Sequence, residues 1–279
     1  MKLHEIYNFL EQMSPFELQE KWDNSGLKKR GEKGGQATFN PSFAILFSIK
    51  ASKNKGNKMP RIPRGETAGG IYHIINRGNM KMQLFDDMED YDYFLALLEK
   101  ASKREKVEIH AYCLMPNHFH LLLVPKEPNS LSRLMQWVMT SHVRYYHKKN
   151  KTSGHIWQGR YKSFIVEKES YYITLLRYIE ANALRAKLVR RAEDWDYGSL
   201  MERVYKHRTL LSKPYMTLDN EWVEYVNEPL KKGELHSIRN SVNRQAPLGE
   251  GKWQVETARK HGLMSTLNER GRPRKNVQG

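Results

Sequence analysis

The chain has 279 residues, with 47 Lys and Arg against 31 Asp and Glu, a net charge of +16, and 11% aromatic residues. A surplus of that size points to a polyanionic partner, nucleic acid most simply. The single cysteine, Cys113, excludes a disulfide framework and a cysteine-built zinc site; no run of about 18 apolar residues exists to cross a membrane. The first residues lack the apolar core of a secretory signal, so a cytoplasmic, nucleoid-associated protein is expected.

Residues 1–27 read as a short helical fragment, with Ile6, Leu10 and Met13 spaced for one face, ending in Trp22-Asp23-Asn24-Ser25-Gly26-Leu27. Residues 28–58, rich in Lys, Gly, Asn and Ser, have the composition of a flexible linker. Met59-Pro60-Arg61-Ile62-Pro63-Arg64 then reads as the fresh start of a protein, with 1–58 a fusion or translated junction in front of it. From residue 70 the pattern is ordered. Ile71–Asn76 predicts a strand, Glu89–Arg104 an amphipathic helix, and Val107–Met115 a second strand. Pro116-Asn117 turns into a third strand, beginning at His118. Leu131–Lys149 predicts a helix, Ser163–Glu167 a strand, and Ser170–Leu188 a helix with Ser170 as N-cap. The order βαββαβ is the split βαβ pattern of an α+β, ferredoxin-like antiparallel sheet. Residues 59–208 form this domain. Residues 209–279 form a helical, DNA-binding appendage, with one helix around Leu235, Ile238 and Val242, a second at Lys252–His261, and a basic tail.

The chemistry centres on the third strand. Its side chains alternate with a period of two, so His118 and His120 share a face while Phe119, Leu121 and Leu123 enter a core. Two imidazoles on one face are half of a metal site. In the last helix Tyr178 and Asn182 stand four apart, one turn from each other on one face. A carboxamide oxygen from Asn182 completes two histidines as ligands to Mg²⁺ or Mn²⁺ and leaves open positions for phosphate oxygens. A tyrosine nucleophile conserves the energy of a DNA bond as a phosphotyrosine; its phenol needs nearby positive charge, from the metal, Arg177 or Arg185. Tyr145, Tyr146, Tyr171 and Tyr172 are rival tyrosines, read as packing aromatics. Trp157-Gln158-Gly159-Arg160-Tyr161-Lys162 interleaves rings and cations, which suits single-stranded DNA, or else anchors the domain through Trp157. Arg77 and Asn79 after the first strand, and Arg144, Lys148 and Lys149 on the preceding helix, are further DNA-facing candidates. So are Arg270, Arg272, Arg274 and Lys275 in a tail that resembles an AT-hook core.

His118-Phe119-His120 resembles the His-hydrophobic-His motif of HUH single-strand nucleases. Met115-Pro116-Asn117-His118 together with Tyr178-Ile179-Glu180-Ala181-Asn182 is similar to the IS200/IS605-like transposases, and specifically to their REP-associated tyrosine transposase branch. Gly69–Ile74, Asn76–Asn79 and Gly154–Ser163 extend the match, which runs from about residue 59 to the C-terminus. The resemblance implies a single-strand DNA endonuclease and strand transferase acting at hairpin DNA. Tyr178 matches its nucleophile, His118 and His120 its metal-binding pair, and Asn182 its third ligand. Ala183 departs from the Pro that many relatives carry there. Relatives are homodimers in many cases and monomers in others. A hairpin-binding protein that no longer cuts, and a phosphodiesterase that uses water, are the alternatives. Residues 1–27 separately resemble the extreme N-terminus of the Nif-three-like dinuclear-metal family, without that family's later metal-binding segments.

Overall fold

The computed structural model describes residues 65–268. The N-terminal fragment, the linker, the start at Met59, and the tail with Arg270, Arg272, Arg274 and Lys275 lie outside the described residues.

Period-two alternation builds a sheet that is buried on both sides. Strands β1 (Ile71–Arg77), β2 (Val107–Met115), β3 (His118–Pro125) and β4 (Lys162–Val166) form an antiparallel sheet in the order β2-β3-β1-β4. This is the ferredoxin-like arrangement expected from the βαββαβ order. Tyr72, Ile74, Phe119, Leu121 and Leu123 enter one buried cluster; Ile71, Leu122, Val124 and Cys113 enter the other. Helices α1 (Met88–Glu105) and α2 (Ser130–Asn150) close the first face with Phe94, Leu98, Leu134 and Val138. Helix α3 (Ser170–Glu180) closes the second with Tyr172, Leu175, Leu176 and Ile179. Cys113 is fully buried, as a core residue.

The sheet is not a regular ladder at β2. Ile109 pairs with Leu123 and Ala111 with Leu122, so His110 is an extra residue, a bulge in that strand. The bulge sends the His110 ring into the second face, where its Nδ1 lies 2.8 Å from the Tyr172 hydroxyl. Both outer strands are covered, which removes open edges. The Ser212 amide donates to the Ile109 carbonyl along β2, and along β4 Leu248 and Ile165 are joined by a 2.8 Å backbone bond.

Helix α3 begins and ends differently from expectation. Glu169, at φ 71°, holds the N-cap position, and Ser170 is the first helical residue with no capping bond. The single helix expected to reach Leu188 breaks at Ala181 (φ −80°, ψ 4°), whose amide donates to the carbonyls of Arg177 and Ile179; α4 (Asn182–Arg185) follows. Tyr178 therefore lies in α3 and Asn182 opens α4, on either side of the break.

The chain beyond residue 186 is built onto α3. Helices α5 (Ser199–Tyr205) and α6 (Trp222–Asn227), too short to show a helical period in the sequence, bring Leu200, Trp222 and Val226 into the α3 cluster. Helices α7 (Lys232–Arg244) and α8 (Gly251–Lys260) fall where the sequence placed two helices, and Ile238 of α7 joins the same cluster. Residues 209–268 therefore share a core with the sheet domain. Among the described residues no helix is long and apolar enough to cross a membrane.

Glu180 is the polar bolt of this assembly. Its buried carboxylate accepts from Ser199 Oγ (2.8 Å), Arg203 Nε (2.6 Å) and Trp222 Nε1 (2.8 Å). Removing one partner of such a buried pair strands the other charge at a cost of about 3–5 kcal/mol. Glu180→Ala is therefore expected to lower the unfolding free energy by that amount, measured by urea denaturation.

Candidate active site

His118 opens β3 directly after the Pro116-Asn117 turn, and His120 follows on the same face with its ring centroid 5.2 Å away. The turn is held in place: Pro116 O accepts from Leu84 N at 2.8 Å, and Asn117 O from Gly78 N at 2.8 Å. Each ring has its Nδ1 engaged. His118 Nδ1 donates to Asn117 Oδ1 at 2.7 Å, and His120 Nδ1 lies 3.0 Å from His73 Nε2. Neither Nε2 makes a hydrogen bond among the described residues.

Electrostatics keep these rings neutral. Burial, with Arg77 and Arg185 adding repulsion, pushes His118 down to about 4. Burial alone pushes His73 down to about 3. Burial and its histidine neighbours hold His120 well below the ordinary imidazole range. A neutral imidazole with an engaged Nδ1 and a free Nε2 is the form that ligates a cation.

Tyr178 reaches this pair from α3. Its ring is buried and meets His120 edge-on at 5.8 Å and His73 at 6.2 Å between centroids. The Arg185 guanidinium lies over the phenol ring at 4.1 Å. Of the two arginines the sequence offered, only Arg185 is here. Arg177 points to the other side of α3, where it donates to the carbonyls of Tyr225 (2.7 Å) and Glu228 (3.0 Å) and stacks on the Tyr225 ring. Arg177 and Glu180 stand at i and i+3, so the two share a face and serve the C-terminal packing.

Asn182 is buried beside Arg185, with a long 3.5 Å contact from Arg185 Nη1 to its Oδ1. Its Nδ2 is buried without a hydrogen-bond partner among the described residues. The orphaned atom is an N–H donor, so a cation would be held through the Asn182 Oδ1, which carries only the long Arg185 contact, together with the Nε2 atoms of His118 and His120; that mix of nitrogen and oxygen donors fits a divalent cation. No cluster of three or more His, Cys, Asp or Glu suited to a metal occurs among the described residues. A site here thus depends on the carboxamide and on oxygens from outside the chain.

The rival tyrosines are accounted for by packing. Tyr145 lies on α2, across the sheet, and its hydroxyl donates to Asp90 Oδ1 at 2.9 Å; Tyr146 follows it on the same helix. Tyr172 is fully buried against His110, and Tyr171 packs against the second cluster.

The DNA-facing candidates divide. Arg77 pairs with His118 in the ladder and stands at the site. Asn79 follows it in a short 3₁₀ turn, its amide bonded to the Ile156 carbonyl. Arg160 is exposed within the loop and Lys162 is exposed at the start of β4. Trp157 is 7% exposed and packs edge-on to Phe119, so its ring anchors the loop in the core. Arg144 and Lys148 are exposed on α2, while Lys149 is paired with Asp87 and Asp90. Two supporting residues were not singled out from sequence, His73 and Asn76. Asn76 Nδ2 donates to Gly159 O at 3.0 Å and ties the 154–161 loop to β1. Each interrupts an otherwise apolar strand, which was the available signal.

Residues 67–182 match the family model of IS200-like transposases. A Haemophilus influenzae protein described as a REP-associated tyrosine transposase is 25% identical over 154 residues, covering 50% of this chain and 85% of that one. A Campylobacter jejuni GTP cyclohydrolase 1 type 2 homolog is 74% identical over 27 residues, 10% of this chain; this chain spans only 11% of that relative's length. Among solved structures, a REP-associated tyrosine transposase bound to a REP hairpin superposes with a TM-score of 0.43 at 17% identity, over 55% of this chain and 91% of that one. A Deinococcus radiodurans structure assigned as a transposase gives 0.31 at 19% identity, over 45% of this chain and 89% of that one.

The buried histidines set the acid stability of the fold. His142, caged by Phe85, Phe94 and Trp157, is also lowered to about 4 by burial. In the unfolded chain each imidazole takes its proton near pH 6.5. The folded chain refuses those protons, so stability is complete above about pH 6.5 and falls as pH drops from there toward 4. Each such histidine contributes a slope of about 1.4 kcal/mol per pH unit in that window. Urea unfolding at stepped pH is expected to show this acid limb, and His142→Phe to flatten it by one proton's slope.

Proposed function

Because residues 67–182 match the family model of IS200-like transposases, we propose that this chain is a metal-dependent single-strand DNA endonuclease and strand transferase acting at hairpin DNA. The observation that carries the proposal is the Tyr178 ring, packed against His120 and His73 with Arg185 across its face, beside two histidines whose Nε2 atoms are free. The phenol oxygen of Tyr178 attacks the scissile phosphorus. A P–O bond forms to the tyrosine, the bond to the 3′-oxygen breaks, and the departing oxygen takes up a proton as the phenol gives one to solvent. The products are a 5′-phosphotyrosyl enzyme and a free 3′-hydroxyl, and attack by another 3′-hydroxyl reverses the step onto a new strand.

His118, His120 and Asn182 would hold Mg²⁺ or Mn²⁺, which supplies Lewis-acid polarisation of the phosphate. Arg185 places a fixed positive charge beside the phenol and limits its orientation. Arg77, Arg160 and Lys162, with Arg144 and Lys148 on α2, supply cations for the DNA backbone, in keeping with the net charge of +16. Asn79 borders that path. The helical segment from 209 onward, with Arg270, Arg272, Arg274 and Lys275, extends the DNA contact. The similar Haemophilus protein is described as REP-associated, and hairpins of that type are the substrate class in this reading.

The test is covalent trapping. The full chain is mixed with labelled single-stranded hairpin oligonucleotides from DNA flanking its own gene, with Mn²⁺, and run on a denaturing gel. A labelled protein-sized band is expected, absent in Tyr178→Phe and after chelation. Cleavage without a covalent band would assign the attack to water, and tight binding with neither would assign hairpin recognition without cutting. Arg185→Met is expected to slow adduct formation about tenfold, the equivalent of a desolvated cation–π contact of roughly 1–2 kcal/mol.

A further inference from the structure

His73 has no role in the chemistry above, yet it is 1% exposed and its Nε2 lies 3.0 Å from His120 Nδ1. It sits on β1, two residues from Ile71 and Ile75 on the sheet face that carries the histidine pair, and its ring lies 5.2 Å from His120 at an interplanar angle of 22°. Two neutral imidazole nitrogens in contact must divide the roles: one donates and the other accepts. If His120 Nδ1 accepted, the proton of His120 would be on Nε2 and no lone pair would be left there. If His120 Nδ1 donates, Nε2 keeps its lone pair. The neighbouring ring has no such ambiguity, because Asn117 Oδ1 only accepts and so fixes His118 with its proton on Nδ1.

We propose that His73 is a positioning residue that accepts from His120 Nδ1 and thereby holds His120 with its Nε2 lone pair presented for a divalent cation. The proposal rests on the assignment of His118 and His120 as metal ligands. The two ligands are then set by different acceptors, a carboxamide oxygen for His118 and an imidazole for His120. Phe164, at 5.6 Å from the His73 ring, and Tyr178 flank it and limit its rotation. Outer acceptors of this kind orient a ligand ring and hold its tautomer, and their loss costs about 10–100-fold in metal affinity.

The experiment uses the full chain, metal-free, with ¹⁵N-labelled histidine, and then Mn²⁺ titration by calorimetry. Long-range ¹H–¹⁵N spectra of the metal-free protein are expected to show the His120 proton on Nδ1. His73→Leu, which removes the acceptor, is expected to weaken Mn²⁺ binding about 10–100-fold. His73→Gln, which restores a carbonyl acceptor, is expected to bind near the wild-type level. Circular dichroism and melting temperature check that each variant folds. A proton on His120 Nε2 overturns the proposal, even where His73→Leu fails to fold. Wild-type Mn²⁺ affinity in folded His73→Leu overturns it, and so does equal weakening in the Leu and Gln variants. His120→Ala separates the two levels: if Mn²⁺ binding survives that change, the ligand assignment itself fails and this proposal fails with it.

Discussion

Everything at the candidate site depends on hydrogen bonds to the two Nδ1 atoms of a histidine pair on one strand. His118 and His120 are neutral because burial makes their charged forms costly, and each has Nδ1 committed to a neighbour. What remains is a pair of free Nε2 edges on one sheet face. The rest of the domain supports that pair. The Pro116-Asn117 turn is pinned from outside by Leu84 and Gly78, and Phe119 locks the strand from the opposite face by filling the α1–α2 core.

Helix α3 shows how one short element serves two purposes. Tyr178 faces the histidines. Arg177 and Glu180, one turn apart on the outer side, bind the chain that follows through the Tyr225 and Glu228 carbonyls and through Ser199, Arg203 and Trp222. The direction of the Tyr178 ring is thus fixed by packing on both sides of the helix. Changes in the C-terminal segment should reach the site through this clamp, without contact with substrate.

The α+β sheet was legible because its strands are runs of apolar, β-branched and aromatic residues and its two long helices carry apolar stripes. The strand period foretold that His118 and His120 share a face, and Tyr178 meets His120, but the break at Ala181 separates Asn182 from the helix that carries Tyr178. Other features depended on contacts that no local pattern carries. Arg177 and Arg185 are equivalent candidates in sequence, and only the placement of α6 shows that Arg177 is turned away. Trp157 looks like a base-stacking platform beside Arg160, and its burial against Phe119 shows it to be an anchor. The bulge at His110 shifts β2 by a single residue, and the break at Ala181 falls within one turn, both below what periodicity resolves. His73 needed the register between β1 and β3 before its partner could be seen.

The central claim is that a divalent cation, the histidine pair and Tyr178 form one site. The most direct measurement is anomalous diffraction from crystals of the Tyr178→Phe protein grown with Mn²⁺ and a single-stranded hairpin oligonucleotide. The account requires a manganese peak bounded by Nε2 of His118 and Nε2 of His120, with the Asn182 carboxamide and a DNA phosphate oxygen completing the ligands. A peak on other residues, or a phosphate bound away from residue 178 with no metal at the histidines, would contradict it.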